Sequence, residues 1–193
     1  MKWKEYTSKF EEILNGTNAS APYDNPSYLE YVKLNNSRSN RWMKRGELTS
    51  ETIAALSDLR SPMQWILITE PWCGDAAHSA PFIHLMAEAS PMINLDIQQR
   101  DSVPSLIDDY LTNGGKSIPK LIVRDEYGND LFTWGSRPEG CQNLVMDQKT
   151  MDITTQEKKA QQQAWYNKDK GVSIQEEINS LISSSVVEHR RTA

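Results

Sequence analysis

Cysteine is scarce in this sequence: Cys73 and Cys141 are the only two, far apart, and they fit no metal-ligand spacing. A structural bridge between them would need an oxidising compartment, which nothing in the chain suggests. Long apolar runs are also missing. The longest, Trp65 to Thr69, falls far short of the roughly 20 residues that cross a bilayer. The opening residues, Met1-Lys2-Trp3-Lys4-Glu5, lack the apolar segment of a secretory signal, so the expected location is cytoplasmic, without membrane association. Without secretion, the glycan-type tripeptides at Asn15, Asn18 and Asn35 carry no meaning. No stripe of Lys and Arg exists to neutralise phosphates, and the net charge is −5, which argues against a nucleic-acid partner.

What is present is enough to fold. Over 193 residues, 38% are hydrophobic and 24% charged, so a core can form and disorder throughout is excluded. The length suits one domain with a decorated end.

The first sixty residues read as helical. Trp3, Tyr6, Phe10, Ile13 and Leu14 recur at helical steps on one face until Asn15-Gly16 stops them. A loop from Thr17 to Pro26 precedes a second helix capped at Ser27, and Thr49 or Ser50 caps a third that ends at Ser61-Pro62. From Met63 strands and helices alternate. Trp65-Ile66-Leu67-Ile68-Thr69 reads as a buried central strand, followed by a helix from about Gly74 to Ala89. A strand over Ile93–Ile97 and a helix over Val103–Leu111 come next. The strand Pro119-Lys120-Leu121-Ile122-Val123 then turns at Glu126–Asn129 into Asp130–Trp134. The remainder is helical, reset once at Gly171. Strands separated by helices run parallel and the hairpin is antiparallel, which gives an α/β fold: a mixed central sheet with helices on both faces.

The chemistry-bearing segment is Glu70-Pro71-Trp72-Cys73-Gly74-Asp75-Ala76. A thiol between a buried strand and the first turn of a helix faces unpaired backbone N–H groups. These favour thiolate and lower the cysteine pKa, so the expectation is an exposed, activated Cys73. Trp72 beside it offers a flat apolar surface for a peptide. Asp75 in the same turn opposes a thiolate, and Glu70 adds negative charge that would not attract the carboxylates of glutathione. His78 and His84 sit on helix positions poorly matched to Cys73 and read as packing or surface residues.

Trp72-Cys73-Gly74-Asp75 at a strand–helix junction resembles the active-site segment of the thioredoxin superfamily, Trp-Cys-Gly-Pro-Cys. Pro81 falls where that family kinks its active-site helix. Ser117-Ile118-Pro119-Lys120 before an apolar strand is similar to its cis-proline segment, and Gly135 resembles the glycine closing its substrate groove. The likeness spans roughly Met63 to Ser184 and is closest to a branch with Cys-Gly-Asp-type motifs and an N-terminal helical extension. It implies a thioredoxin-like domain over residues 63–193, with residues 1–62 as the extension packed on it. Cys73 would be the attacking thiolate, and Pro119 a cis-proline facing it. The backbone at Ser117 and Ile118 would pair with an extended substrate, which strand addition allows. Trp72, Gly74, Asp75, Ala76 and Gly135 would complete the substrate site. No cofactor or metal is implied.

The pattern breaks at Ala76, where the family carries its resolving cysteine. Without that second thiol the chain forms a mixed disulfide but cannot release it internally. Cys141 is the one internal substitute, and a bridge to it needs Cα atoms within about 7 Å. The strand before the site has Leu67 where many thioredoxins carry a buried carboxylate. Two readings follow. One is a monothiol protein acting on a disulfide or sulfenic acid of a protein or low-molecular-weight partner, with an external thiol completing the cycle. The other is a binding or adaptor module without turnover. Peroxidase and cluster-binding glutaredoxin readings are disfavoured by Thr69-Glu70-Pro71-Trp72 and by Asp75-Ala76 after Cys73-Gly74.

Overall fold

The computed structural model describes residues 1–17 and 20–192, excluding side chains from Val186 onward; Asn18 and Ala19 of the second glycan-type tripeptide therefore lie outside the described residues. The chain runs through α1 (Trp3–Leu14), α2 (Pro26–Arg45), α3 (Ser50–Ser57), β1 (Met63–Thr69), α4 (Gly74–Glu88) and β2 (Ile93–Gln99). A 3-10 helix over Leu106–Asp109 follows, then β3 (Lys120–Arg124), β4 (Asp130–Trp134), α5 (Glu139–Asp147), α6 (Thr155–Asp169) and α7 (Val172–Thr192).

The strand order is β2-β1-β3-β4. Central β1 pairs parallel with β2, placing Leu67 beside Ile97, and antiparallel with β3, placing Leu67 beside Leu121. The parallel pair needs a crossover, which α4 supplies; the antiparallel β3–β4 pair needs only the turn at Asp125–Asn129.

Alternation along β1 divides the interior. Trp65 and Leu67 face a large core built with Tyr6 and Phe10 of α1, Val32 and Trp42 of α2, Leu56 of α3, Phe82 and Ile83 of α4, and Ile174 and Ile178 of α7. Ile66 and Ile68 face the opposite way, toward Ile122, Ile107, Ile118, Ala76 and Cys73. Helical elements thus lie on both faces, but unequally. The helices from residues 1–62 share the large core with the sheet, so the aromatic residues there are mostly packing residues. Phe82 is buried under the α6–α7 turn: a Cβ on Gly171 (φ +78) would lie 2.3 Å from its ring.

Several boundaries differ from the sequence reading. The helix expected over Val103–Leu111 is only the four-residue 3-10 helix. Ile107 is its one buried anchor, while Val103 is 97% exposed, so no continuous apolar face exists to hold a longer helix. The second helix is capped by Asn25, whose side chain accepts from the Ser27 N–H, with Pro26 at the first helical position. The third stops at Ser57, before Ser61-Pro62.

Candidate functional site

Cys73 is the N-cap of α4, at the end of the turn that carries the chain out of β1. Opposite it, the Ile118–Pro119 peptide bond is cis, and the Cys73 thiol donates to the Ile118 carbonyl at 3.4 Å. Gly135 closes the same edge from the end of β4. Its φ is +117, and a Cβ there would lie 2.2 Å from the Pro119 carbonyl oxygen, so only glycine lets the two backbones approach. Cys73, Ser117 and Ile118 line a cleft of about 290 Å³ with Trp72, Gly74 and Asp75. Pro119 and Gly135 stand behind this wall. Ala76 is fully buried against Ile66, Ile68, Ile107 and Ile122, below the cleft floor.

The state of the thiol corrects the sequence expectation. Cys73 is 6% exposed, not freely accessible, and its pKa is pushed up to about 12. Burial is the largest cause and the Asp75 charge the next. The amides of Ala76 and Asp75 and the Arg137 charge pull the other way but do not win. The helix N-terminus acts on the sulfur as expected; dehydration outweighs it. The resting group is a protonated thiol that uses Ile118 as its acceptor.

Asp75 is held from two sides. One oxygen pairs with the Arg137 guanidinium at 2.7 Å, and the other accepts from the Tyr166 hydroxyl at 2.9 Å. Cys141 is fully buried in the same neighbourhood. Its pKa is pushed up to about 11, first by burial and then by Asp75, while Tyr166 and Arg137 lower it. Both cysteines are free thiols. Each feels Asp75 and Arg137, so the carboxylate that the sequence placed beside one thiol stands between the electrostatics of two.

Glu70 is also corrected. It is 3% exposed, and its carboxylate accepts from Tyr23, Gln99 and the Asp101 backbone N–H instead of charging the cleft. Burial, foremost, raises its pKa. Its bonds fix the segment after β2, which carries Arg100 to within 4.6 Å of the Trp72 ring centre. Arg100, Lys116, Ser136 and Arg137 complete the cleft lining, and no motif in the sequence assigns them a role. Arg137 was within reach, two residues past Gly135. Arg100 and Tyr166 had no sequence signal, because tertiary packing alone brings them to Cys73 and Asp75. His78 accepts from the Trp42 indole N–H at 2.9 Å and stacks on Tyr166 at 4.2 Å, and His84 stacks on Trp3 at 4.6 Å; both are packing residues.

With this geometry in place, comparison with known proteins decides the family. The model of a protein family described as thioredoxin matches residues 22–159. The chain belongs to that family. The match begins inside the helical N-terminal region, so the family's shared sequence takes in α2 and α3 as well as the sheet. Among solved structures, this thioredoxin-family chain resembles a protein of unknown function, PA1234, from Pseudomonas aeruginosa. The TM-score is 0.57 at 16% identity, covering 96% of this chain and 99% of that one. It also resembles an HIV epitope scaffold, with TM-score 0.51 at 16% identity, covering 95% of this chain and 99% of the scaffold. At such identities the likeness is one of fold. No curated protein matches. Among the described residues, no helix is long and apolar enough to cross a membrane and no cluster of side chains could hold a metal ion.

Proposed function

We propose that this thioredoxin-family protein is a monothiol thiol-disulfide exchange protein working through Cys73. The observation that carries the reading is the placement of the Cys73 sulfur at the N-terminus of α4, 3.4 Å from the Ile118 carbonyl beside cis-Pro119, on the wall of an open cleft. In the exchange, Cys73 loses its proton and attacks one sulfur of a partner disulfide. That S–S bond breaks, and the second sulfur leaves as a thiolate and takes up a proton. An external thiolate then attacks the partner sulfur of the mixed disulfide, forming a new disulfide and returning Cys73. Ala76 offers no internal thiol for this second step.

Partner docking supplies part of the activation. An extended partner adding to this edge donates a backbone N–H to the Ile118 carbonyl, the acceptor the resting thiol now uses. Losing an acceptor destabilises the protonated form and shifts Cys73 toward thiolate. The cations along the cleft, Arg100, Lys116 and Arg137, are each paired with a carboxylate, Asp101, Asp108 and Asp75, so they select no charge on the partner, whether a peptide or a low-molecular-weight thiol. Cytoplasm is the compartment in which such reducing partners abound.

A second reading, a binding module without turnover, is favoured by the thiol's pKa of about 12, which leaves roughly one molecule in 10⁵ ionised at neutral pH. Disulfide reduction with an external reductant separates the two. Activity on insulin or on a small disulfide that disappears in Cys73→Ser supports exchange. Equal turnover by wild type and Cys73→Ser, or none by either, leaves the binding module.

A further inference from the structure

Behind the thiol cleft lies a second, larger one, of about 450 Å³, between α2 and α6, within the size range of small-molecule sites. Trp72, Gly74 and Asp75 form a wall common to both clefts. The other walls mix aromatic and polar side chains, the aromatic ones including Tyr28 and Tyr31 from α2 and Tyr166 from α6, with Gln162 and Gln163 beside Tyr166. The Tyr28 and Trp72 rings meet edge to face at 5.9 Å, and Tyr166 is fixed by its stack on His78 and its bond to Asp75. The Tyr28 and Trp72 rings thus present flat surfaces close to a right angle, 84° apart.

The charges in this cleft do not balance. Arg38 and Lys159 both line it. Arg38 is half-buried and its Nη1 donates to the neutral side chain of Asn35, while its buried Nε has no hydrogen-bond partner. Burial, with Arg41 nearby, lowers its pKa, and Asp75 and Tyr166 offset this only in part. Lys159 sits 4.5 Å from the Tyr31 ring centre and donates to the Tyr31 hydroxyl, another neutral group. Asp75 is the one carboxylate lining the cleft, and each of its oxygens already takes a bond, from Arg137 and from Tyr166. Asp75 favours the Arg38 charge only from a distance, its oxygens being bonded to Arg137 and Tyr166. Among the described residues Arg38 makes no ion pair of its own, and a partly desolvated guanidinium in that state is costly.

We propose that the α2–α6 cleft is a binding site for a small aromatic anion, its flat ring held among Tyr28, Tyr31, Trp72 and Tyr166 and its carboxylate-type group held by Arg38 and Lys159. Guanidinium and carboxylate match in shape and charge, and the aromatic walls match a ring. The site is separate from thiol chemistry: it uses the outer face of the Trp72–Asp75 wall, and the sulfur of Cys73 lines the other cleft.

Calorimetric titration of the full chain with three probes that share one ring and differ in charge tests this: 2-naphthoate, 2-naphthylmethanol and 2-naphthylmethylammonium. The anion is expected to bind with a submillimolar Kd, at least about tenfold tighter than the neutral or cationic probe. Arg38→Met is expected to weaken naphthoate about tenfold or more. Leu34→Trp, a half-exposed α2 position on the cleft that tolerates a larger side chain, is expected to block all binding. Cys73→Ser is expected to leave the affinity unchanged, which separates this site from the proposed exchange reaction. Absent binding up to 5 mM, equal affinity for the three probes, or naphthoate binding that survives Leu34→Trp would each overturn the assignment. The Leu34 variant decides the matter even if the Arg38 variant does not fold.

Discussion

Replacing Asp75 by Asn is the sharpest probe of what holds Cys73 in its thiol form. The substitution removes the second-largest cause of the raised pKa and frees Arg137, whose charge already favours thiolate. A like charge within a few ångströms is worth on the order of 1–3 units, and the burial contribution stays. The Cys73 pKa should therefore fall by roughly 1–2 units from about 12. Nucleophilicity declines with pKa along a slope of about 0.4–0.5, so the tenfold to hundredfold gain in thiolate becomes roughly a threefold to tenfold gain in rate. Losing the Asp75–Arg137 pair should cost about 2–3 kcal/mol, below the full penalty for a broken buried pair, because Asn still accepts from Tyr166. The assay is iodoacetamide modification of Cys73, followed by mass spectrometry from pH 7 to 11 in a Cys141→Ala background. Unchanged or slower modification in Asp75→Asn, with the protein folded, would refute the electrostatic account of this thiol.

Other expectations follow from the same geometry. Ala76→Cys should let a mixed disulfide at Cys73 resolve internally, read as release of a trapped partner without added thiol; because Ala76 is fully buried, it should also cost about 1–3 kcal/mol in chemical denaturation. Gly135→Ala should destabilise the fold by more than about 2 kcal/mol and disturb Cys73 modification, since its Cβ meets the Pro119 carbonyl at 2.2 Å; an unchanged melting temperature would contradict the close approach. His78 is held neutral with its pKa lowered to about 3, burial being the main cause, whereas the unfolded chain takes up its proton near 6.5. Its contribution is full above pH 6.5 and is lost as pH falls toward 3, at about 1.4 kcal/mol per unit. Denaturation midpoints at pH 7, 5.5 and 4.5 should fall less steeply in His78→Asn, which can still accept from Trp42. Cys73 works in the opposite sense: its pKa is raised from the ordinary 9.0, so its stabilisation holds below pH 9 and fades as pH rises to about 12, a loss that Cys73→Ser should remove.

The architecture was legible in local patterns. A continuous apolar strand at Trp65–Thr69, a helix opening at Gly74, and a hairpin at Glu126–Asn129 are local patterns, and local patterns set periodicity, caps and turns. The sequence also brought Cys73, Ile118, Pro119 and Gly135 to attention, because backbone demands at a turn or close approach leave a mark on residue type. Where an element depended on what it packed against, the sequence misled: Val103–Leu111 has helical spacing, yet only Ile107 finds a core to enter. The charge state of the thiol turned mainly on burial, which belongs to the tertiary structure. Motif position predicted a thiolate from the helix N-terminus and already set Asp75 against it, but depth of burial and the pairing of Asp75 with Arg137 and Tyr166 come from elements as far as 91 residues from Asp75. Dehydration and long-range pairing are properties of the assembled packing, and no run of adjacent residues encodes them.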